Sequence, residues 1–129
     1  MAKRTGALRA FTLIELLVVL AVIATLLTIA LPRYFGSLDR SKEATLKQSL
    51  HVMRDAIDKF YADNGRYPDS IGDLVDKRYI RSLPVDPITD STDTWVIVAP
   101  PEGAGKGSVY DVKSGATGKD HDGVEFASF

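Results

Sequence analysis

Three patterns of apolar and polar positions divide the chain. The first is an unbroken apolar run: Phe11 to Leu31 is 21 residues long, and Glu15 is its only charge. As a helix rising 1.5 Å per residue it spans ~31 Å, about the thickness of a hydrocarbon core. Pro32 follows. Lacking an amide hydrogen, it predicts a kink in the helix rather than its end. Beyond it comes a second pattern, with Leu46, Leu50, Met53, Ile57 and Phe60 at spacings of 4, 3, 4 and 3. These spacings lay one apolar stripe along a helix, too short for a coiled-coil seam and so read as core packing. Residues 39 to 45 are far more polar and read as solvated. Arg54–Asp58 and Asp55–Lys59 are i,i+4 pairs on other faces. Asp63-Asn64-Gly65 stops the helix near residue 63, with Gly65 suited to a left-handed cap.

The third pattern is made of short pieces. Ser70, with Asp73 three residues on, predicts the start of a short helix over Ile71 to Lys77. Pro84 and Pro87 bracket a turn. Thr94 to Val98 is β-branched and aromatic, hence a strand. Pro100 to Gly107 is a loop. Ser108 to Val112 alternates as a second strand, and Val124-Glu125-Phe126 reads as a short third. The economical fold is α+β: a long kinked N-terminal helix, transmembrane in its first half, packed on a small antiparallel sheet at the C-terminal end. The region 32–129, about 98 residues, is enough for one modest core.

Composition narrows this picture. The net charge of the 129 residues is −1, so no basic field points to nucleic acid, and none is expected as a partner. No cysteine is present, which excludes disulfides and thiolate metal sites. Lys3, Arg4 and Arg9 precede the apolar run, so the positive-inside rule places the N-terminus in the cytoplasm and the remainder outside. From Asp86 onward there are eight acids against three lysines, while Arg33 to Arg81 holds ten bases against eight acids.

Glu15 decides between readings of the apolar run. A secretory signal would use Thr28-Ile29-Ala30 as its cleavage site, but its core is normally roughly 7–15 residues and has no use for a carboxylate. An ordinary anchor explains the length and leaves the carboxylate unexplained. Thr12-Leu13-Ile14-Glu15 fits a capping box, Thr12 at the N-cap and Glu15 at the third helical position. There the carboxylate also meets the positive end of the helix dipole. Against that stands the rule that an acid within a membrane helix marks function.

The stretch "FTLIELLVVLAVIATLLTIALPRY" resembles the N-terminus of type IV pilins and of the pseudopilins of type II secretion. The resemblance implies that residues 1–10 are a basic leader, cut between Ala10 and Phe11 by a prepilin peptidase, and that the new Phe11 amine is methylated. Residues 11–31 are then the transmembrane and assembly helix, and 32–129 a periplasmic pilin-like domain. It further implies that Glu15 pairs with the N-terminal amine of a neighbouring subunit. A buried acid is tolerable when an opposite charge arrives with it. Ala10 departs from the glycine usual before the cut; cutting after Gly6 instead would lose the register of Glu15. "DNGRYP", "LPVDP" and "YDVKSGA" resemble the major pseudopilin of type II secretion. The expected role is therefore structural: a single-pass inner-membrane protein that polymerises into a periplasmic pseudopilus for protein export. Its expected partners are its own copies, the membrane lipid before assembly, minor pseudopilins and an inner-membrane assembly platform. The rivals are a type IV pilin or minor pilin for adhesion, motility or DNA uptake, and an exported ligand-binding domain.

No catalytic constellation stands out. His51 and His121 lack partners in the sequence and read as solvated. Gly103 to Ser108 fails as a phosphate loop, because glycine follows Lys106 and a strand follows the loop. In "SGATGKDHDG", Asp120 and Asp122 stand one residue apart before Gly123, with Glu125 nearby. Such spacing suits a hard cation such as Ca²⁺, given backbone carbonyls or Asp111 as further oxygens. The same acids also read as ordinary turn residues. The family resemblance implies calcium in this region, although Thr117 stands where related chains often carry aspartate.

Overall fold

The computed structural model describes residues 10–129. Two compact units divide the chain, the first reaching Ser37 and the second covering Leu38–Phe129. One helix, α1 (Leu13–Asn64), supplies the described body of the first unit and the opening of the second. It is unbroken at Pro32, which lies inside it. In the first unit every described residue is exposed.

In the second unit the stripe does what its spacing predicts. Leu46, Leu50, Met53, Ile57 and Phe60 are all buried, with Ala56 beside them. The stripe also runs one turn further back than expected, to Glu43, which is 6% exposed. Residues 39–45 are otherwise solvated, so Glu43 is the exception within a stretch read as polar. The helix ends as the sequence dictates. Gly65 takes φ +67 and its amide donates to the Tyr61 carbonyl at 2.8 Å, the left-handed cap.

A short helix α2 (Gly72–Asp76) follows and buries Leu74 against the same core. Its start differs from the expected cap. Ser70 contributes its carbonyl to the Asp73 amide at 3.2 Å, not its hydroxyl, and the Asp73 carboxylate instead accepts the Asp69 amide at 3.0 Å. Strands β1 (Trp95–Val98) and β2 (Asp111–Ser114) form one antiparallel pair, Trp95 opposite Ser114 and Val98 opposite Asp111. Trp95, Val109 and Val112 close over the helix stripe, and the Trp95 indole donates to the Pro84 carbonyl at 2.9 Å.

Two strand expectations are corrected. The second strand starts at Asp111 rather than Ser108, because the Ser108 and Val109 amides donate to the Pro68 carbonyl, at 3.0 and 2.9 Å. That crossing demands glycine next door: at Gly107, φ +110, a β-carbon would lie 2.1 Å from the Tyr67 carbonyl oxygen. Residues Val124 to Phe126 form no third strand. Glu125 makes a single bridge with Lys119, and Phe126–Ser128 turns as one 3-10 turn. The bridge rests on the Phe126 amide donating to the Gly118 carbonyl at 3.1 Å and the Asp120 amide to the Val124 carbonyl at 2.8 Å; the Val124 amide turns to the Asp120 carboxylate at 2.8 Å.

Candidate functional site

The N-terminal end of α1 is the first place where chemistry gathers. Ala10 and Phe11 precede the helix and are exposed, Phe11 by 79%. Thr12 and Glu15 satisfy each other's backbone. The Glu15 amide donates to Thr12 Oγ1 at 3.2 Å, and the Thr12 amide donates to Glu15 Oε2 at 3.4 Å. This is the reciprocal capping box that the sequence allows. The Glu15 carboxylate is exposed, so the cap leaves it open to a further partner. Downstream, Thr25 and Thr28 turn their hydroxyls back onto the Ala21 and Ala24 carbonyls, both at 2.8 Å. Neither threonine therefore presents an unsatisfied hydroxyl on the apolar surface.

The exposed side chains of this stretch include Leu13, Ile14, Leu16, Leu17, Val18, Leu20 and Val22, each half or more exposed. An apolar helical surface of that extent is stable only against lipid or other helices. Among the described residues, α1 is the one helix long and apolar enough to cross a membrane, and its apolar window is wholly unburied.

The second place is the C-terminal loop of the second unit. The residues named from sequence as cation ligands have different partners in the fold. Asp111 is held by Arg54, whose Nε donates to Asp111 Oδ1 at 2.8 Å. Glu125 is exposed and contributes its backbone to the bridge with Lys119. Asp120 turns inward, 8% exposed, and its Oδ1 accepts the Asp122 and Val124 amides at 2.9 and 2.8 Å. Asp122 stays exposed, its Oδ2 lying 3.2 Å from His121 Nε2. His121 is exposed as expected, but it is not without partners. Its amide donates to Glu43 Oε1 at 2.9 Å, and its Nδ1 is hydrogen-bonded to Glu43 Oε2. His51, by contrast, is exposed.

Two further residues have roles that the sequence did not reveal. Arg54, read as the partner of Asp58, reaches across to Asp111 instead, and its Nη2 donates to the carbonyls of Val112 at 3.0 Å and Phe129 at 2.7 Å. The Asp55–Lys59 pair does form, at 2.9 Å. Asp86, in "LPVDP", is fully buried; it accepts the Ser114 hydroxyl at 2.5 Å and the Ile88 amide at 2.9 Å. The signal for Glu43 was its place three residues before Leu46, in phase with the stripe; its charge hid it.

Comparison with known proteins points to the same end of the chain. Residues 9–31 match the prokaryotic N-terminal methylation motif. The chain is 36% identical over 66 residues to the type IV major pilin protein PilA of Myxococcus xanthus, covering 51% of this chain and 30% of that protein. It is 28% identical over 95 residues to the type II secretion system core protein G of Dickeya chrysanthemi, covering 61% of this chain and 62% of that protein. With the core protein G of Escherichia coli it shares 26% identity over 128 residues, 87% of this chain and 83% of that protein. The chain thus spans less than two thirds of the length of the first two relatives. No solved structure matches it significantly. The methylation motif, the long apolar helix on a small antiparallel sheet, and relatives among both core G proteins and pilins make this chain a type IV pilin-like protein, similar to core protein G of type II secretion.

Proposed function

We propose that the chain is a structural subunit of a type II secretion pseudopilus, held in the inner membrane by α1 until it enters a helical fibre of its own copies. The observation that carries this reading is Glu15: one carboxylate at the head of a helical surface that is otherwise apolar and wholly exposed. Leaving lipid for a fibre exchanges one apolar surrounding for another, which makes the carboxylate the group that chooses a register. Its partner is the amine of Phe11 on a neighbouring copy, freed by cleavage after Ala10 on the cytoplasmic side and methylated there. The domain beyond residue 31 lies in the periplasm in this reading.

Extended similarity to the core G proteins supports the pseudopilus, since one such match reaches 87% of this chain. Similarity to PilA and to the fimbrial protein EcpC of Eikenella corrodens, 33% identical over 82 residues, supports a second reading as a pilus subunit. The intact mass of the mature protein tests the processing: the expected chain starts at methylated Phe11. Glu15→Val tests assembly. The variant should insert and be cleaved normally, because it removes a cost to insertion, while its fibre yield collapses. Normal fibre yield from Glu15→Val would leave the capping box as the whole explanation of Glu15.

A further inference from the structure

Glu43, Asp120 and His121 are brought together from positions 78 residues apart in the chain. One ligand atom of each lies within 4.8 Å of the other two. Two of the three side chains are more than nine-tenths buried, Glu43 at 6% exposed and Asp120 at 8%. No lysine or arginine forms an ion pair with either carboxylate among the described residues. Arg54 is engaged by Asp111, and Lys47 lies over the Phe129 ring, 4.9 Å from its centroid. Asp120 gives Oδ1 to two loop amides, and its Oδ2 accepts no hydrogen bond among the described residues. Asp120 therefore keeps one carboxylate oxygen without a protein donor, beside the buried Glu43 carboxylate and the His121 ring, and that oxygen is open to a cation.

We propose that these three residues bind a divalent transition metal of the zinc class, which fastens the C-terminal loop to α1. The ligand chemistry selects the metal. An imidazole nitrogen with two carboxylates suits zinc and its neighbours. Calcium needs six or more oxygens, and the other acids of this region are turned elsewhere: Asp111 to Arg54, Glu125 to solvent. Zinc lies ~2.0–2.2 Å from nitrogen and oxygen ligands, which places the ligands of one ion within about 4 Å of each other. Any separation near that 4.8 Å bound must close slightly. The His121 side chain, 43% exposed, has the freedom to do so. The metal takes the place of the hydrogen bond between His121 Nδ1 and Glu43 Oε2, while Glu43 Oε1 keeps the His121 amide. Asp120 also lines an open groove with Lys47, Leu50 and Asp122, which gives water and ions access to its carboxylate.

The test uses the full chain, purified in detergent and stripped of metal with a chelator. Zinc chloride and calcium chloride are titrated separately by calorimetry, and the melting temperature is followed in each. One zinc per chain, a higher melting temperature with zinc, and no such rise with calcium are expected. Glu43→Gln and His121→Ala should each weaken zinc binding by about a hundredfold, since even residues that only support a ligand are worth 10–100-fold. His51→Ala should bind zinc as the unchanged chain does. Cobalt(II) added to the unchanged chain should develop visible d–d absorption that zinc removes, a readout independent of whether any variant folds. Absence of zinc uptake by the stripped chain would overturn the proposal. So would uptake undiminished in both Glu43→Gln and His121→Ala, or a preference for calcium.

Discussion

Arg54 and Asp111 meet at 2.8 Å across 57 residues of sequence, and the same guanidinium reaches the carbonyls of Val112 and Phe129. One side chain thus ties α1 to the start of β2 and to the end of the chain. Arg54→Met keeps much of the apolar stem and removes every one of these bonds. It should lower stability by about 1.5 kcal/mol, the lower end for charged hydrogen bonds because the pair is partly solvated. Arg54→Lys should recover little, since an ammonium cannot reproduce the planar fork. Urea unfolding of the detergent-solubilised chain measures both. Full recovery by lysine would mean that charge alone matters.

Asp86 holds a more enclosed position. Its two oxygens gather the Ser114 hydroxyl on β2 and the amides of Ile88 and Thr89. Asp86→Ala would leave the buried Ser114 hydroxyl and the half-buried amides of Ile88 and Thr89 without this acceptor, and should cost roughly 2–4 kcal/mol. Asp86→Asn, which keeps the shape and one carbonyl oxygen, should cost less. A loss from alanine below that of Arg54→Met would contradict this ordering.

Tyrosine ionisation sets an alkaline limit. The Tyr79 hydroxyl donates to Asp63 Oδ2 at 2.7 Å, and this bond, with burial second, raises its pKa above the ordinary 10.0. Burial, and then the neighbouring Tyr110 and Tyr61, raise that of Tyr67. A group whose pKa is higher folded than unfolded holds its proton better in the folded state. Its contribution is complete below about pH 10 and disappears as pH rises through the folded value. Melting temperature should therefore fall beyond pH 10, and Tyr79→Phe should flatten part of that fall. An unchanged alkaline slope in Tyr79→Phe would assign the effect to other groups.

Thr12 separates the two uses of Glu15. Thr12→Ala removes the cap to the Glu15 amide, worth about 1 kcal/mol in a typical helix, and leaves the carboxylate in place. Fibre yield from Thr12→Ala should stay near normal, while Glu15→Val loses it. Equal losses from both would make helix capping, not pairing between subunits, the role of Glu15.

Much of this was legible in the sequence because it is periodic. The membrane-length run, the stripe from Leu46 to Phe60 and the glycine cap are set by residues within one or two turns of each other. The methylation motif is local in the same way. What escaped depends on contacts across long loops. Glu43 lies on the stripe, but only the distant His121 explains why a carboxylate is buried there. Arg54 had a plausible partner four residues on and took one 57 residues away. The second strand slipped toward the C-terminus because Pro68, in a different loop, claims the amides of Ser108 and Val109.

Pro32 carries a consequence for depth. An α-helix pairs each carbonyl with the amide four residues later, and Pro32 has no such amide to offer Thr28. The Thr28 hydroxyl cannot compensate, since it donates to Ala24. The Thr28 carbonyl is therefore the rung of the ladder with one side missing. In hydrocarbon an unpaired backbone group costs several kcal/mol, whereas at the polar boundary water completes it. In the membrane-anchored state proposed above, Thr28 would mark the waterline of the helix, with the turn that contains Pro32 among the headgroups.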